Sequence, residues 1–194
     1  MNDRMFSATQ AHRLDDPARR VWLPPAQVLD VLALYSGETI ADVGAGTGYF
    51  SLPMAHSVGP QGKVYAVDGQ DEMLALLRRK LDEAGVCNVE LICAEADNTE
   101  LPASSCDLFF VANVWHELDD RAAVLQESRR VLKPGGRIAI LDWCTDVEPE
   151  PGPPLAHRLD VSKVADELRS IGFKQIESVN VGRYSWLIQG ELQR

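Results

Sequence analysis

Cysteine is sparse in this 194-residue chain, and the four present, Cys87, Cys93, Cys106 and Cys144, form no C-x-x-C pair. That spacing argues against a structural zinc site and a disulfide framework. Free, buried thiols are expected, with Cys93 and Cys106 in or beside apolar strands. An excess of positive charge is also lacking, since the net charge is −10. A surface of that sign repels nucleic-acid phosphates, so no nucleic-acid partner is expected. The short basic clusters Arg19-Arg20, Arg78-Arg79-Lys80 and Arg129-Arg130 read as solvated surface. No apolar run approaches the ~20 residues needed to span a bilayer. Met1 to Phe6 lacks the apolar core of a secretory leader, which makes a cytoplasmic location the default expectation. Internal repeats and low-complexity tracts are absent.

What the chain does have is alternation. Pro24-Pro25 opens a helical stretch from Ala26 to Tyr35. Thr39 to Val43 is a short strand, and Gly46 to Ser57 reads as a helix. Lys63 to Asp68 is the next strand, and Asp71 can cap a helix running to Ala84 with Met73, Leu74, Leu77 and Leu81 on one face. Strands follow at Val89 to Cys93 and Asp107 to Ala112, then a helix from Asp119 to Leu132. Lys133-Pro134-Gly135-Gly136 is a turn before a fifth strand, Arg137 to Trp143. Such strands, nearly all apolar and alternating with helices, predict a parallel sheet covered on both faces. Asp146 to Pro154 is a stiff proline-rich loop. A helix from Ser162 to Ile171 and two final strands, Phe173 to Val181 and Tyr184 to Gln189, complete the order. The whole reads as one domain, 1–194, with 1–24 an N-terminal extension and 146–158 a loop that can wall a substrate or meet a second subunit in a homodimer.

The strongest local signal is Asp42-Val43-Gly44-Ala45-Gly46-Thr47-Gly48, which follows a strand and precedes a helix. Glycines let the backbone turn tightly and approach a ligand, with main-chain amides facing it. In an open parallel sheet this point lies at the carboxyl ends of the strands, where ligands bind. Asp68 ends the second strand, where a carboxylate can accept bonds from vicinal ribose hydroxyls. The pair specifies a nucleoside-bearing ligand. The spacing is G-x-G-x-G rather than the dinucleotide G-x-G-x-x-G.

The segment Asp42 to Phe50 resembles motif I of the class I S-adenosylmethionine-dependent methyltransferases. Val67-Asp68 resembles their ribose-binding acidic position, and Ala96-Asp97-Asn98-Thr99-Glu100-Leu101-Pro102 their adenine-contacting segment. Leu132-Lys133-Pro134-Gly135-Gly136-Arg137 matches the turn before their fifth strand. The resemblance is to the ubiquinone/menaquinone-biosynthesis group and covers most of the chain. It implies a Rossmann-like α/β fold, doubly wound, with seven mostly parallel strands, an antiparallel last strand and helices on both faces. It also implies S-adenosylmethionine as cofactor, S-adenosylhomocysteine as product and a small-molecule methyl acceptor.

On that pattern, Asp42, Gly44, Ala45, Gly46, Gly48, Asp68, Gly69, Met73, Asp97, Asn98 and Asn113 are the candidate cofactor contacts, with no metal. His116 is the candidate base, because its unperturbed pKa lies near neutrality; His116 and Glu117 can equally shape the loop. Asp142 can serve the substrate or its own neighbourhood, and His157-Arg158 an anionic substrate or a surface. Trp22, Trp115 and Trp143 can line an apolar pocket or belong to the core, as Trp186 should. Nothing in Leu14-Asp15-Asp16-Pro17 fixes whether it lies over the site. A nicotinamide-dependent oxidoreductase and a non-catalytic S-adenosylmethionine-binding module remain the alternatives, since fold does not fix function. Thiol-dependent arsenic methylation requires converging cysteines, and only Cys144 is suitably placed.

Overall fold

The computed structural model describes residues 8–148 and 151–193. After a 3₁₀ turn at Ala8–Arg13, the order is α1 (Arg19–Trp22), α2 (Pro25–Leu32), β1 (Thr39–Val43), α3 (Ser51–Val58), β2 (Lys63–Asp68), α4 (Asp71–Ala84) and β3 (Val89–Cys93). Then come β4 (Cys106–Ala112), α5 (Arg121–Val131), β5 (Leu132–Trp143), α6 (Val161–Ser170), β6 (Phe173–Val181) and β7 (Ser185–Leu192). The strands form one seven-stranded sheet in the order β3-β2-β1-β4-β5-β7-β6. Strands β1 to β5 pair in parallel, and β7 runs antiparallel to both β5 and β6. The order reverses between β1 and β4, so the loops after these two strands diverge and leave the crevice in which open α/β sheets bind ligands.

Alternation along the strands divides the core. Leu108 and Phe110 of β4 face the layer that holds Val28 and Leu32 of α2 and Met54 and Val58 of α3. Phe109 and Val111 face the opposite layer, with Val124 and Leu125 of α5 and Leu168 of α6. Leu77 and Leu81 of α4 pack on Ala66 of β2. Among the described residues, no helix is long and apolar enough to cross a membrane.

Several boundaries differ from the sequence expectation for identifiable reasons. The helix after β1 starts at Ser51, not Gly46, because Gly46 and Gly48 take φ of +54° and +83°, outside the right-handed helical region. Helix α2 stops at Leu32 because Ala33 adopts a left-handed cap. Asp71 is the first residue of α4 rather than its cap, and with Glu72 it places negative charge in the first turn. Helix α5 starts two residues late because Trp115–Glu117 forms its own 3₁₀ turn; Asp120 is the cap, accepting from the Ala123 amide at 2.9 Å. Strand β5 begins at Leu132, with the Lys133–Gly136 turn absorbed as an irregularity in its pairing with β4. Cys93 is exposed because β3 is an edge strand, and Cys87 is exposed as well; only Cys106 and Cys144 are buried. Arg19 is likewise buried, not a surface cation.

Glu38, fully buried before β1, accepts from Arg137 at 2.8 Å and from the Tyr35 amide at 3.1 Å. Arg137 also donates to the Leu32 carbonyl, tying the end of α2 to β5. Replacing Arg137 by Met would leave a buried carboxylate unpaired. We expect Arg137→Met to lose about 2–3 kcal/mol in urea unfolding, toward the lower end for such losses because Arg137 is partly solvated.

Candidate active site

The turn after β1 is held by backbone and by one carboxylate. The Gly44 and Ala45 amides both donate to the Val67 carbonyl of β2, at 2.8 and 3.0 Å. Asp68 closes the arrangement: its Oδ2 accepts from the Gly46 amide at 2.8 Å and its Oδ1 from the Gln70 amide at 2.9 Å. Each carboxylate oxygen thus uses one acceptor site and keeps another, the set that vicinal hydroxyls require. Burial pushes the Asp68 pKa up, the two amide bonds oppose it, and Glu95 adds to the rise. Gly44 and Gly48 have no room for a side chain, since a Cβ would lie 2.5 Å from Val114 and 2.2 Å from Leu77.

Asp42 does not face the opening. It is buried at the end of β1 and accepts from the Ser51 hydroxyl at 2.5 Å, fixing the start of α3 behind the glycines. Met73 is 2% exposed and packs as core. Gly69, Asp97 and Asn98 are exposed. The Asn98 amide bonds the Glu95 carbonyl, and the Glu95 carboxylate lies 3.1 Å from where a Gly69 Cβ would sit. The Glu95–Asn98 turn therefore adjoins Asp68. Its base is anchored by Thr99, which donates through amide and hydroxyl to buried Glu127 at 2.8 and 2.5 Å, while Arg130 clamps the same carboxylate.

Across the crevice, Asn113 follows β4 in a left-handed conformation (φ +57°), its amide donating to the Leu141 carbonyl. Its side-chain oxygen is buried without a hydrogen-bond partner among the described residues. A buried acceptor left open in this way is costly unless a ligand supplies the donor. Two residues after the neighbouring Val114, His116 is 7% exposed. Asp142 of β5 accepts from the His116 amide through Oδ2 and meets His116 Nδ1 through Oδ1, both at 2.8 Å; Oδ1 also accepts from the Trp143 amide. The ring is thereby fixed, with Nε2 on the far side, 3.7 Å from Glu117. Burial lowers the imidazole pKa, but the Asp142 hydrogen bond and charge, with Glu117, outweigh it, and the net direction is upward.

Trp115, Trp143 and Trp186 are buried, whereas Trp22 is half-buried; Trp22 and Trp143 pack with centroids 5.2 Å apart and Tyr184 meets Trp22 edge-on. His157 is exposed, and Arg158 is not an open anion receptor. The Arg158 guanidinium is buried and donates to the carbonyls of Cys144, Glu148 and Pro153, with its charged end 5.5 Å from the Trp143 ring. No sequence signal marks Ser51, Glu95 or Glu127, whose roles depend on partners far along the chain.

Comparison with known proteins agrees with this geometry. A model of the methyltransferase domain matches residues 41–140. Demethylmenaquinone methyltransferase of Listeria welshimeri is 35% identical over 116 residues, covering 60% of this chain and 49% of that protein. The ubiquinone/menaquinone biosynthesis C-methyltransferase UbiE of Shewanella frigidimarina is 33% identical over 118 residues, 60% of this chain and 47% of that one. The chain thus matches about half the length of these curated relatives. A crystal structure of a SAM-dependent methyltransferase from Aquifex aeolicus superposes with a TM-score of 0.91 at 33% identity, covering 97% of this chain and all of that one. The chain belongs to the methyltransferase domain family.

Burial pushes the Asp42 pKa up to about 7, against the Ser51 hydrogen bond and with help from Asp68. A carboxyl whose pKa is raised by folding binds its proton more tightly in the native state. Its contribution to stability is present at low pH and is lost as pH rises from the ordinary aspartate value of 3.8 through about 7. His116, with its raised pKa, contributes in the same direction. Asp42→Asn should therefore decline less than the native protein between about pH 5 and 8 in urea midpoint, and the difference between the two curves isolates Asp42.

Proposed function

We propose that this chain transfers the methyl group of S-adenosylmethionine to a small aromatic acceptor of the quinol type, releasing S-adenosylhomocysteine. The observation that carries the reading is the Asp68 carboxylate, which binds the glycine turn while keeping free acceptor capacity at the crevice of a parallel sheet. The quinol class is drawn from the relatives' names and from the aromatic pair Trp22–Trp143, of which Trp143 follows Asp142 and bonds it through its amide.

In this reading Asp68 takes the ribose hydroxyls, and the turn Gly44-Ala45-Gly46 to Gly48 lies along the cofactor. Gly69, Asp97 and Asn98 border the adenine, with Met73 only packing beneath. Asn113 offers its open amide oxygen to the ammonium group, and Asp42 orients the turn from behind. Bound there, the cofactor supplies an electrophilic methyl group on a sulfonium. The chain's own residues then position the acceptor, exclude water and take its proton. The His116–Asp142 pair suits the last task, as Asp142 holds Nδ1 and leaves Nε2 to accept a proton from an acidic hydroxyl. The chain acts as a single unit, with the described residues 151–158 walling the acceptor side. Arsenic chemistry is disfavoured, because Cys87 and Cys93 are exposed and burial raises the Cys106 and Cys144 thiol pKa values.

Calorimetric titration tests the cofactor. Saturable binding of S-adenosylmethionine and S-adenosylhomocysteine is expected, weakened about 100-fold in Asp68→Ala, which removes charge-assisted hydrogen bonds. Preferential binding of a nicotinamide dinucleotide would overturn the assignment.

For the base, His116→Gln should lower kcat by about 100-fold with cofactor affinity unchanged. In the native enzyme, activity should fall on the acid side with a midpoint above 6.5, because the imidazole must be neutral. Asp142→Asn removes the carboxylate that favours the imidazolium, so the acid limb should move to lower pH. A pH profile unaltered by either substitution would exclude the role.

A further inference from the structure

The glycine turn, which must meet the cofactor, is covered. Ala45, Gly46, Thr47 and Gly48 are all buried, and the chain that buries Gly46 and Thr47 is the N-terminal extension. Leu14 Cδ1 lies 3.3 Å from where a Gly46 Cβ would sit. Asp15 Oδ1 accepts from the Thr47 hydroxyl at 2.8 Å and from Lys80 of α4 at 2.5 Å, and Lys80 in turn donates to the Thr47 carbonyl at 2.9 Å. Open grooves of about 650 Å³ around Lys133–Arg137 and about 780 Å³ around Gln61–Lys63 and Asn88 lie at the other, amino-terminal edge of the parallel strands.

The two ends of this covering segment are held very differently. Its C-terminal end is built into the core: Leu23 is fully buried, and Arg19 is buried over the Tyr49 ring at 4.0 Å. Tyr49 donates to the Leu23 carbonyl, the Trp22 ring packs on Trp143, and the Trp22 carbonyl lies against Gly182. Its N-terminal arm is held by Asp15, Leu14 and buried Ala11, with Arg19 of the anchor donating to the Leu14 carbonyl at 3.2 Å. The Asp15–Lys80 pair has side chains 39% and 33% exposed, a bridge that water screens and that breaks readily.

We propose that residues 8–17 are an arm that opens about the fixed Arg19–Leu23 anchor to admit and release the cofactor, with Asp15 as the positioning residue that latches it to Thr47 and Lys80. This rests on the cofactor assignment above. A ligand held on Asp68 and the glycine turn lies beneath Leu14 at Gly46, and the arm must lift to free that side of it. Bound ligand therefore favours the closed arm, and a loosened latch speeds release.

Limited trypsinolysis of the full chain, with the cut bonds identified by mass spectrometry, reads the arm directly. Cleavage after exposed Arg13 requires the arm to detach and follows the open population. Saturating S-adenosylhomocysteine should slow that cut by about tenfold or more. Asp15→Ala should speed it about two- to fivefold in the free protein and raise the S-adenosylhomocysteine dissociation rate by a similar factor, as expected for one half-exposed bridge. Asp15→Glu should recover part of both effects. Cleavage after Arg137, inside the sheet, should be unaffected by the substitution. The proposal is overturned if the ligand binds without protecting the bond after Arg13, if Asp15→Ala leaves dissociation unchanged, or if both bonds become equally labile. A wild-type protein that binds no S-adenosylhomocysteine would overturn both this and the cofactor assignment.

Discussion

The Asp68 carboxylate is the constraint on which the site depends. At the end of β2 it reaches sideways to the Gly46 amide and forward to the Gln70 amide, so one side chain sets both the turn after β1 and the entry to α4. Buried at this depth, a carboxylate needs donors, and backbone amides supply them without introducing a second charge. The result is a rigid edge with spare acceptor capacity. Asp42 serves the same edge from behind through Ser51, and Gly44 and Gly48 permit the close packing that a side chain would prevent.

A second carboxylate organises the other half of the crevice. Asp142 fixes the main chain of His116, its ring and the amide of Trp143, so the strand ends of β4 and β5 are joined as firmly as those of β1 and β2. The topology keeps the two halves apart and places them face to face, because strand order reverses between β1 and β4. The glycine side offers amides, hydroxyl acceptors and little bulk. The histidine side offers a titratable group held by Asp142, in surroundings where Arg158 gathers the carbonyls of Cys144, Glu148 and Pro153. That division suits a reaction in which one ligand must be held immobile and the other deprotonated.

Stability and exposure follow the same line. Links that bind the sheet to its helices, such as Glu38–Arg137, join a fully buried carboxylate to a mostly buried guanidinium. Links that cover the site are shallower, and the Asp15–Lys80 bridge is the clearest case. Elements that must move are expected at the weakly held end of a fold, since a deeply buried tie would make opening too rare.

The seven strands, their largely parallel arrangement and the glycine turn with Asp68 were legible in the sequence because each depends on local pattern: apolar runs, glycine spacing and a carboxylate at a strand end. Helix starts at Ser51 and Arg121 were less so, because they depend on left-handed glycines and on a 3₁₀ turn that apolar periodicity does not report. Only the tertiary structure turned Arg158 from a candidate anion receptor into an anchor for neighbouring carbonyls and brought Asp142 onto His116 across 26 residues. The N-terminal extension is the extreme case. Its Asp15 meets Lys80 across 65 positions and Thr47 across 32, contacts with no local periodicity to announce them. Sequence thus determined the sheet and the ligand class it can hold, because backbone conformation is encoded locally; burial and partnership among distant side chains, which decide what each candidate residue does, arose only when the chain closed on itself.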